Sequence, residues 1–448
     1  MITMRKSGQT TLSALALFFA QSLTPVSAAE ITVEQVLADV VALASDNTLG
    51  RAADGDGIKI AEQYISEEFK AAGLQPFFGQ SYLQGFNLFH YQADPFSVAI
   101  NDTAISPEQF FAVGSADNVD WDQDNVTITR IEKDDDFRAI VTGLNSRGEN
   151  SLVLVDSVHQ QLFNGFANYL KSGTKSLTKR NGNALVLVLT DTQEISQLSV
   201  KGGFTQQQVT LNNVAGVLKG KTRPNEYVVF SAHHDHIGFQ GETDSGTDTI
   251  YNGANDDASG VSAVINLARF YRAMENRERS ILFITFTAEE MGLLGSEYFG
   301  KTINADEMIA MFNIEMIGKA SQFGPGKMWM TGMERSNLGE LLNRNLSEPL
   351  KQSDYRIEAD PYPDYQLFYR SDNASLARLG VPAHSISSTQ ISNDQDYHQV
   401  SDEISTLDFA QMTDIIKVLS HVSQPIVTAE QTPKRIQPLP ARSQGYFF

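Results

Sequence analysis

Three histidines and an aspartate directly follow an apolar run that predicts a β-strand. The segment EYVVFSA leads into His233, His234, Asp235 and His236, in a chain that has only 8 histidines. Side chains at positions i and i+2 of an extended chain point the same way, so His233 and Asp235 emerge together where the strand ends. A histidine that ligates a metal usually has a carboxylate beside its second ring nitrogen. The pattern predicts that His233 ligates a metal and that Asp235 orients it, with His234 and His236 as wall residues.

Carboxylates occur where other apolar runs end. The segment NGANDDASGV places Asp256 at the start of a predicted helix, where capping the helix would need only one of its two aspartates. The run SILFITFTA ends in Glu289 and Glu290, which repel one another in a dry setting unless a cation or a shared proton compensates. One of the two can ligate a metal while the other takes a proton from water. Glu315 lies in the apolar segment FNIEMIG, where a carboxylate is seldom buried unpaired.

The chain has no cysteine, so any metal must be held by His, Asp or Glu side chains. A polar loop near the C-terminus, NDQDYHQVSDE, adds His398, with Tyr397 before it and Asp402 as an available orienting partner. Together, two histidines and three carboxylates make a sulfur-free donor set that suits two divalent ions, most plausibly zinc. A serine hydrolase is disfavoured because we find no G-x-S-x-G motif.

The apolar periodicity predicts the elements that must position these residues. From about residue 210, strand-like and helical stretches alternate, which favours a layered α/β domain with a largely parallel sheet. Short β-like runs between about 77 and 208 predict an inserted β-rich module, and its acidic run DNVDWDQDN is interpreted as a solvated turn. We divide the chain into 30–90 and 209–428, which form the catalytic domain, an inserted domain over 91–208, and a flexible tail over 429–448.

The first residues are typical of an export signal. Arg5 and Lys6 precede the apolar stretch LSALALFFAQSL and the small-residue run PVSAA, which predicts a signal peptide over 1–28. An exported protein without disulfides suggests a bacterial protein of the periplasm or the medium. No later run reaches the length of a membrane span, so we expect no stable membrane insertion once the signal is removed. Nucleic acid is an unfavourable partner, because 54 acidic against 34 basic residues give a net charge of −20.

Five motifs, in the same order, resemble those of a known enzyme family: SAHHDHIG, GANDDASG, FTAEEMGLLGS, NIEMIG and YHQVSD. They are similar to those of the co-catalytic dizinc aminopeptidases of metallopeptidase clan MH, which include secreted bacterial leucyl aminopeptidases. The segments LGRAADGDG and FYRSDNASLARLGVPA also resemble that family's framework, so the likeness covers about 31–76 and 210–425. It implies a three-layer αβα zinc-peptidase domain with a mostly parallel mixed sheet, and an insert compatible with a protease-associated domain.

The resemblance also implies a ligand set for two zinc ions. His233 and Glu315 would hold one ion, Glu290 and His398 would hold the other, and Asp256 would bridge both. The implied substrates are the N-termini of peptides or proteins.

Further roles follow from the same likeness. Glu289 matches the general base that deprotonates the bridging water, so that hydroxide attacks the N-terminal peptide bond, and later passes the proton to the leaving amine. Tyr397 matches a tyrosine that hydrogen-bonds the oxyanion in some relatives. Asp235 would orient His233. Arg370 is either a substrate contact or part of a structural ion pair.

Two positions depart from the family pattern. Glu315 stands where Asp is more common, and Asn373 stands where relatives commonly carry His. Clan relatives use similar ligands in carboxypeptidases, dipeptidases and glutaminyl cyclases, so these specificities stay open. A noncatalytic binding protein with the same fold is a further alternative, and the intact Glu289 with its complete ligand set argues against it.

Overall fold

The computed structural model describes residues 30–241 and 246–439. The predicted signal peptide lies outside these ranges. The helices are α1 (Val33–Leu43), α2 (Gly57–Ala71), α3 (Phe137–Arg147), α4 (Gln160–Leu170), α5 (Ser259–Arg272), α6 (Leu294–Thr302), α7 (Leu338–Arg344), α8 (Glu348–Gln352), α9 (Asn373–Ala377), α10 (Phe409–Val422) and α11 (Gln424–Val427). Among the described residues, none of these helices combines the length and the apolar character needed to cross a membrane.

The strands complete the chain order. They are β1 (Gln75–Pro76), β2 (Leu83–Ala93), β3 (Ser97–Ile100), β4 (Thr103–Ala104), β5 (Phe110–Gly114), β6 (Val119–Trp121), β7 (Thr127–Ile131), β8 (Ser151–Val155), β9 (Thr174–Ser176), β10 (Ala184–Leu189), β11 (Leu198–Gly202), β12 (Phe204–Leu218), β13 (Arg223–His233), β14 (Gly238–Phe239), β15 (Ile250–Tyr251), β16 (Arg279–Phe286), β17 (Met308–Ile314), β18 (Trp329–Met330), β19 (Glu358–Ala359) and β20 (Ala383–Ser387).

A ten-stranded sheet forms the centre of the molecule, in the order β19-β18-β20-β17-β13-β16-β12-β2-β9 with β1 added to β12. Its middle strands β16, β13, β17 and β20 run parallel to one another. On one side β12, β2 and β9 continue the sheet with antiparallel pairing. The predicted α/β class with a mixed, largely parallel sheet is therefore confirmed.

Helices cover both faces of this sheet, which explains why its middle strands are continuous apolar runs. Successive side chains of a strand point to opposite faces. Phe230 of β13 accordingly packs in the apolar cluster that contains residues of α1, α2, α5 and α10. Its neighbour Val229 packs in a second cluster with Phe299 of α6 and Leu376 of α9. The sheet and its two helical faces make the three layers.

Residues 97–202 form two further sheets, with strand orders β5-β10-β8-β7 and β4-β3-β11-β6. They have apolar cores of their own, and Val186 and Leu187 of β10 point into different ones. Strand β9 comes from the middle of this stretch and pairs with β2 of the central sheet. The inserted segment is thus attached to the central sheet at a third place besides its two ends. The domain boundaries stay a prediction.

The end of the described chain is packed against the layers of the central sheet, although a flexible tail was predicted from residue 429. Ile436 is 5% exposed and belongs to an apolar cluster of the central sheet. The Arg435 side chain donates hydrogen bonds to the carbonyl oxygens of Ala305, Met308 and Leu379. These acceptors fix the segment up to residue 439, and the rest of the predicted tail lies outside the described residues.

Candidate metal centre

The sheet brings the predicted site residues to one edge. His233 is the last residue of β13, Glu289 and Glu290 follow the end of β16, and Glu315 directly follows β17. These three strands are parallel, so their carboxyl ends meet at the edge where α/β sheets place their ligands. Asp256 comes from the segment before α5 and His398 from the loop after β20.

Two sets of donor atoms meet at Asp256. His233 Nε2 lies 3.1 Å from Asp256 Oδ1 and 3.2 Å from Glu315 Oε1. His398 Nε2 lies 3.2 Å from Asp256 Oδ2 and 3.2 Å from Glu290 Oε2. Nitrogen and oxygen ligands at about 2.0–2.1 Å from a tetrahedral ion are separated from one another by about 3.3 Å. The spacing of both sets therefore fits a metal ion, and Asp256 contributes one carboxylate oxygen to each set.

Atoms of these side chains that face away from the donor sets are held by the protein. Ser371 donates a hydrogen bond of 2.6 Å from Oγ to Glu315 Oε2. His233 Nδ1 lies 3.0 Å from the backbone oxygen of Asp235. A carbonyl oxygen can only accept, so Nδ1 carries a hydrogen, and Nε2 is the ring nitrogen that faces the Asp256 and Glu315 carboxylates. The additional methylene of Glu315 is accommodated because Ser371 fixes its second oxygen.

Asp235 also organises the turn that carries the two glutamates. Its carboxylate accepts hydrogen bonds from the backbone N–H groups of Glu289 at 3.1 Å and Glu290 at 3.3 Å. The same carboxylate is 3.8 Å from His233 Nδ1, farther than the Asp235 carbonyl. Asp235 thus reaches His233 mainly through its backbone, and its side chain sets the position of the turn that carries Glu289 and Glu290.

The loop that presents Asp256 is fixed from two sides. Asp402, which we expected beside His398, instead accepts hydrogen bonds from the backbone N–H groups of Asn255 and Asp256 at 2.9 and 3.0 Å. Arg51 is fully buried below this loop. Its guanidinium donates to five carbonyl oxygens, those of Leu43, His234, Asn252 and Gly253 at 2.6–3.0 Å and that of Asp256 at 3.5 Å. Sequence reasoning assigned LGRAADGDG only to the framework, and the single arginine inside that Gly-rich break was the signal it did not use.

The pKa values of the two adjacent glutamates are shifted in opposite directions. Burial raises the pKa of Glu289 well above its usual value, and the Glu315 and Glu290 carboxylates add to this effect. Burial also opposes ionisation of Glu290, but hydrogen bonds with His236 and His398 outweigh it and lower its pKa to about 2. Glu290 is therefore poised as an ionised ligand and Glu289 as a group that can hold a proton.

Burial and hydrogen bonding also have opposite effects on the pKa of His398, whose charged form is a cation. Burial lowers its pKa, but hydrogen bonds with Asp256 and Glu290 outweigh burial and raise the pKa to about 10. A metal ion bound to these carboxylates would displace the proton that His398 holds, because ligands must be deprotonated to coordinate. The donor chemistry of the site thus calls for positive charge between its carboxylates.

A cavity of about 360 Å³ opens beside the donor atoms. Its apolar wall includes Leu293, Met316 and Trp329, and both Arg370 and Tyr397 line it as well. The Tyr397 ring stacks on that of His398 with centroids 3.9 Å apart. Burial and the nearby Asp256 carboxylate raise the pKa of Tyr397, so its hydroxyl stays protonated and can donate a hydrogen bond. The cavity has room for an amino-acid side chain next to the site.

Asn373, the second departure from the family pattern, has a structural position. Its amide nitrogen donates to the carbonyl oxygen of Phe368 at 3.0 Å, and its oxygen accepts from Ser385 Oγ at 2.8 Å. Ser385 in turn accepts a hydrogen bond from Asn313, the residue two before Glu315. Asn373 thus supports the strand end that carries Glu315 and makes no described contact with the donor atoms.

Part of the sequence matches a known protein family. Residues 213–423 match the model of peptidase family M28. Aminopeptidase YwaD of Bacillus subtilis (strain 168) is 32% identical over 146 residues, which are 32% of this chain and 28% of that protein. The chain spans about a quarter of the length of the first five curated relatives that it matches.

Two solved structures share the fold over nearly the whole chain. An aminopeptidase from Aneurinibacillus sp. strain AM-1 has a TM-score of 0.54 at 18% identity, covering 92% of this chain and 97% of its own. BSAP, a zinc aminopeptidase from Bacillus subtilis, has a TM-score of 0.52 at 15% identity, covering 88% and 95%.

The fold is that of the two solved aminopeptidases, as the sequence predicted. The segment from residue 213 to residue 423 matches peptidase family M28, so the predicted resemblance to clan MH is confirmed.

Proposed function

We propose that this chain is an exported aminopeptidase that binds two zinc ions and hydrolyses the N-terminal peptide bond of peptides or proteins. The observation that supports this most strongly is the position of Asp256, whose two oxygens lie 3.1 and 3.2 Å from histidines of two different donor sets. His233, Asp256 and Glu315 would hold one ion, and Asp256, Glu290 and His398 the other. Bound zinc supplies Lewis acidity and lowers the pKa of a coordinated water.

The residues around the donor sets have distinct tasks in this proposal. Glu289 accepts the proton of the attacking water and later passes it to the leaving amine, a role that its raised pKa favours. Asp235 fixes the backbone of Glu289, so the carboxyl group keeps its position through both transfers. Tyr397 donates a hydrogen bond to the oxyanion that develops on the scissile carbonyl.

The cavity supports binding of the residue on the N-terminal side of the scissile bond. Its apolar wall favours an uncharged side chain. Arg370 is exposed at the same cavity and contacts the substrate in this proposal. The preference for a free N-terminus is carried over from relatives named as aminopeptidases.

A single comparison of substrates and variants tests the proposal. The purified mature chain, loaded with zinc, should release amino acids from peptides with a free N-terminus and not from their N-acetylated counterparts. The Glu289→Gln variant should lose this activity while it keeps its zinc. Activity on acetylated peptides alone would be consistent with the metal site but would contradict the proposed substrate class. Activity of the Glu289→Gln variant would contradict the role of Glu289 as general base.

A further inference from the structure

The side chain of His236, in the HHDH segment, contacts a proposed zinc ligand. The proposed function assigns no role to this histidine. Its ring is buried, and Nδ1 lies 2.8 Å from Glu290 Oε1. A carboxylate oxygen can only accept, so Nδ1 donates this hydrogen bond. The other carboxylate oxygen of Glu290 is the one that lies 3.2 Å from His398.

The geometry distinguishes His236 from a fourth ligand of the second metal. His236 Nδ1 is 4.0 Å from Asp256 Oδ2, whereas His398 Nε2 is 3.2 Å from the same oxygen. A separation of 2.8 Å from Glu290 is that of a direct hydrogen bond and is shorter than the edge of about 3.3 Å expected between two ligands of one tetrahedral ion. His236, Asp256 and Glu290 lie close enough together to form a donor set of their own. The 2.8 Å hydrogen bond to Glu290 and the 4.0 Å separation from Asp256 nevertheless favour His236 as a partner of the ligand Glu290 over His236 as a ligand.

The backbone around His236 leaves its ring little freedom. The His236 N–H donates to the carbonyl oxygen of Arg51 at 3.0 Å. A Cβ atom at Gly253 would lie 2.5 Å from the ring, so the ring packs directly against that glycine. A side chain held this firmly can fix the carboxylate that it touches.

We propose that His236 is a positioning residue, which holds Glu290 Oε1 so that Oε2 faces the second metal. This inference rests on the proposed function, because it assigns a partner to one of the proposed zinc ligands. It also gives the two glutamate ligands equivalent supports, since Ser371 holds the second oxygen of Glu315 in the same way. Partners of this kind typically change metal affinity about 10–100-fold when they are removed.

Three substitutions of His236 by side chains of similar size test whether this residue positions Glu290, only fills space, or ligates the metal itself. His236→Asn keeps a donor on Cγ, where Nδ1 is attached, and should restore the hydrogen bond to Glu290. His236→Gln keeps an amide but moves it to the far end of the side chain, and His236→Leu removes the donor. His234→Leu is the matched control, because His234 is equally buried and its ring makes no described hydrogen bond to a proposed zinc ligand.

The readout is the affinity for each zinc equivalent, measured by titration against a competing chelator, with the absorption spectrum of the cobalt-substituted protein as a second signal. We expect His236→Gln and His236→Leu to weaken the second equivalent about 10–100-fold and to leave the first unchanged. His236→Asn and His234→Leu should bind both equivalents within about threefold of the wild type, with an unchanged cobalt spectrum.

Wild-type affinity for both equivalents in His236→Leu or His236→Gln would overturn the inference and leave the proposed function intact. Equal loss in His236→Asn and His236→Gln would also overturn it, because the imidazole itself would then be required. If His236→Leu does not fold, the comparison of Asn with Gln decides alone. A wild-type chain that binds no zinc would remove the proposed function together with this inference.

Discussion

Carboxylates are distributed very differently in two regions of this protein. At the carboxyl edge of the central sheet, Asp235 and Asp256 are buried. In the inserted segment, Asp120, Asp122 and Asp124 of the acidic run are exposed, as predicted for a solvated turn. Exposed carboxylates need no compensation, whereas buried ones need hydrogen bonds or positive charge. The contrast teaches that burial, more than the number of acids, decides which carboxylates need a cation or a hydrogen-bond donor.

The largest effect on activity is expected from Glu289→Gln, at the carboxyl edge of the central sheet. The substitution removes the proton acceptor and leaves the donor atoms around Asp256 in place, so kcat should fall about 10²–10⁴-fold while zinc content stays that of the wild type. Asp122→Asn in the inserted segment is the matched control and should change neither value. Initial rates on a free peptide, together with metal analysis of the same samples, give the result. Loss of zinc in Glu289→Gln would contradict the division of labour between the two glutamates.

Two buried arginines allow the site to be compared with a region away from it. Arg51 donates to carbonyl oxygens around the Asp256 loop, and Arg279 donates equally to those of Ile426 and Gln431, which lie far along the chain from any proposed ligand. Arg51→Lys and Arg279→Lys should each lower the free energy of unfolding by about 2–4 kcal/mol, because buried acceptors lose their donors. Denaturant titration measures this loss.

Only the Arg51 variant should also bind zinc more weakly. Its loop presents Asp256, whereas Arg279 fixes the segment after α11. Zinc titration of both folded variants tests this difference. An equal zinc affinity in both would assign Arg51 a purely structural role.

A smaller effect is expected at the support of Glu315. Ser371→Ala removes the hydrogen bond to Oε2 and should weaken the first zinc equivalent about tenfold. Ser296→Ala, which removes a buried hydroxyl that is hydrogen-bonded to Ser375, is the control and should leave zinc affinity unchanged. Chelator competition distinguishes the two variants.

Glu62 provides a test of stability alone, at a buried carboxylate away from the site. Burial raises its pKa to about 7, although Asn212 donates a hydrogen bond to it. The folded state therefore holds a proton that the unfolded state releases near pH 4.5, so stability falls as pH rises from about 4.5 to 7 and the cost stays constant above that.

Glu62→Gln removes this titration and should be more stable than the wild type by up to about 3 kcal/mol at pH 8, with the difference vanishing near pH 4. Thermal or denaturant unfolding across this range measures it. A constant difference at all pH values would show that packing, not ionisation, explains the effect.

Local patterns predicted the sheet and the residues that end its strands, because apolar periodicity and the polar residues that follow it are properties of neighbouring positions. The sequence alone could not assign Arg51, whose acceptors at Asn252 and Gly253 are about two hundred residues away along the chain. Asp402 was expected beside His398 for the same reason: sequence distance suggested that pairing, but the fold places it under Asn255 and Asp256.

The zinc content of the purified mature chain tests the central claim most directly, when it is measured for the wild type and for Asp256→Asn. Two zinc ions per wild-type chain and a loss of both in the variant are expected, because Asp256 offers one oxygen to each donor set. A wild-type chain that binds no zinc under zinc-replete conditions, or a variant that still binds two, would contradict a centre bridged by Asp256.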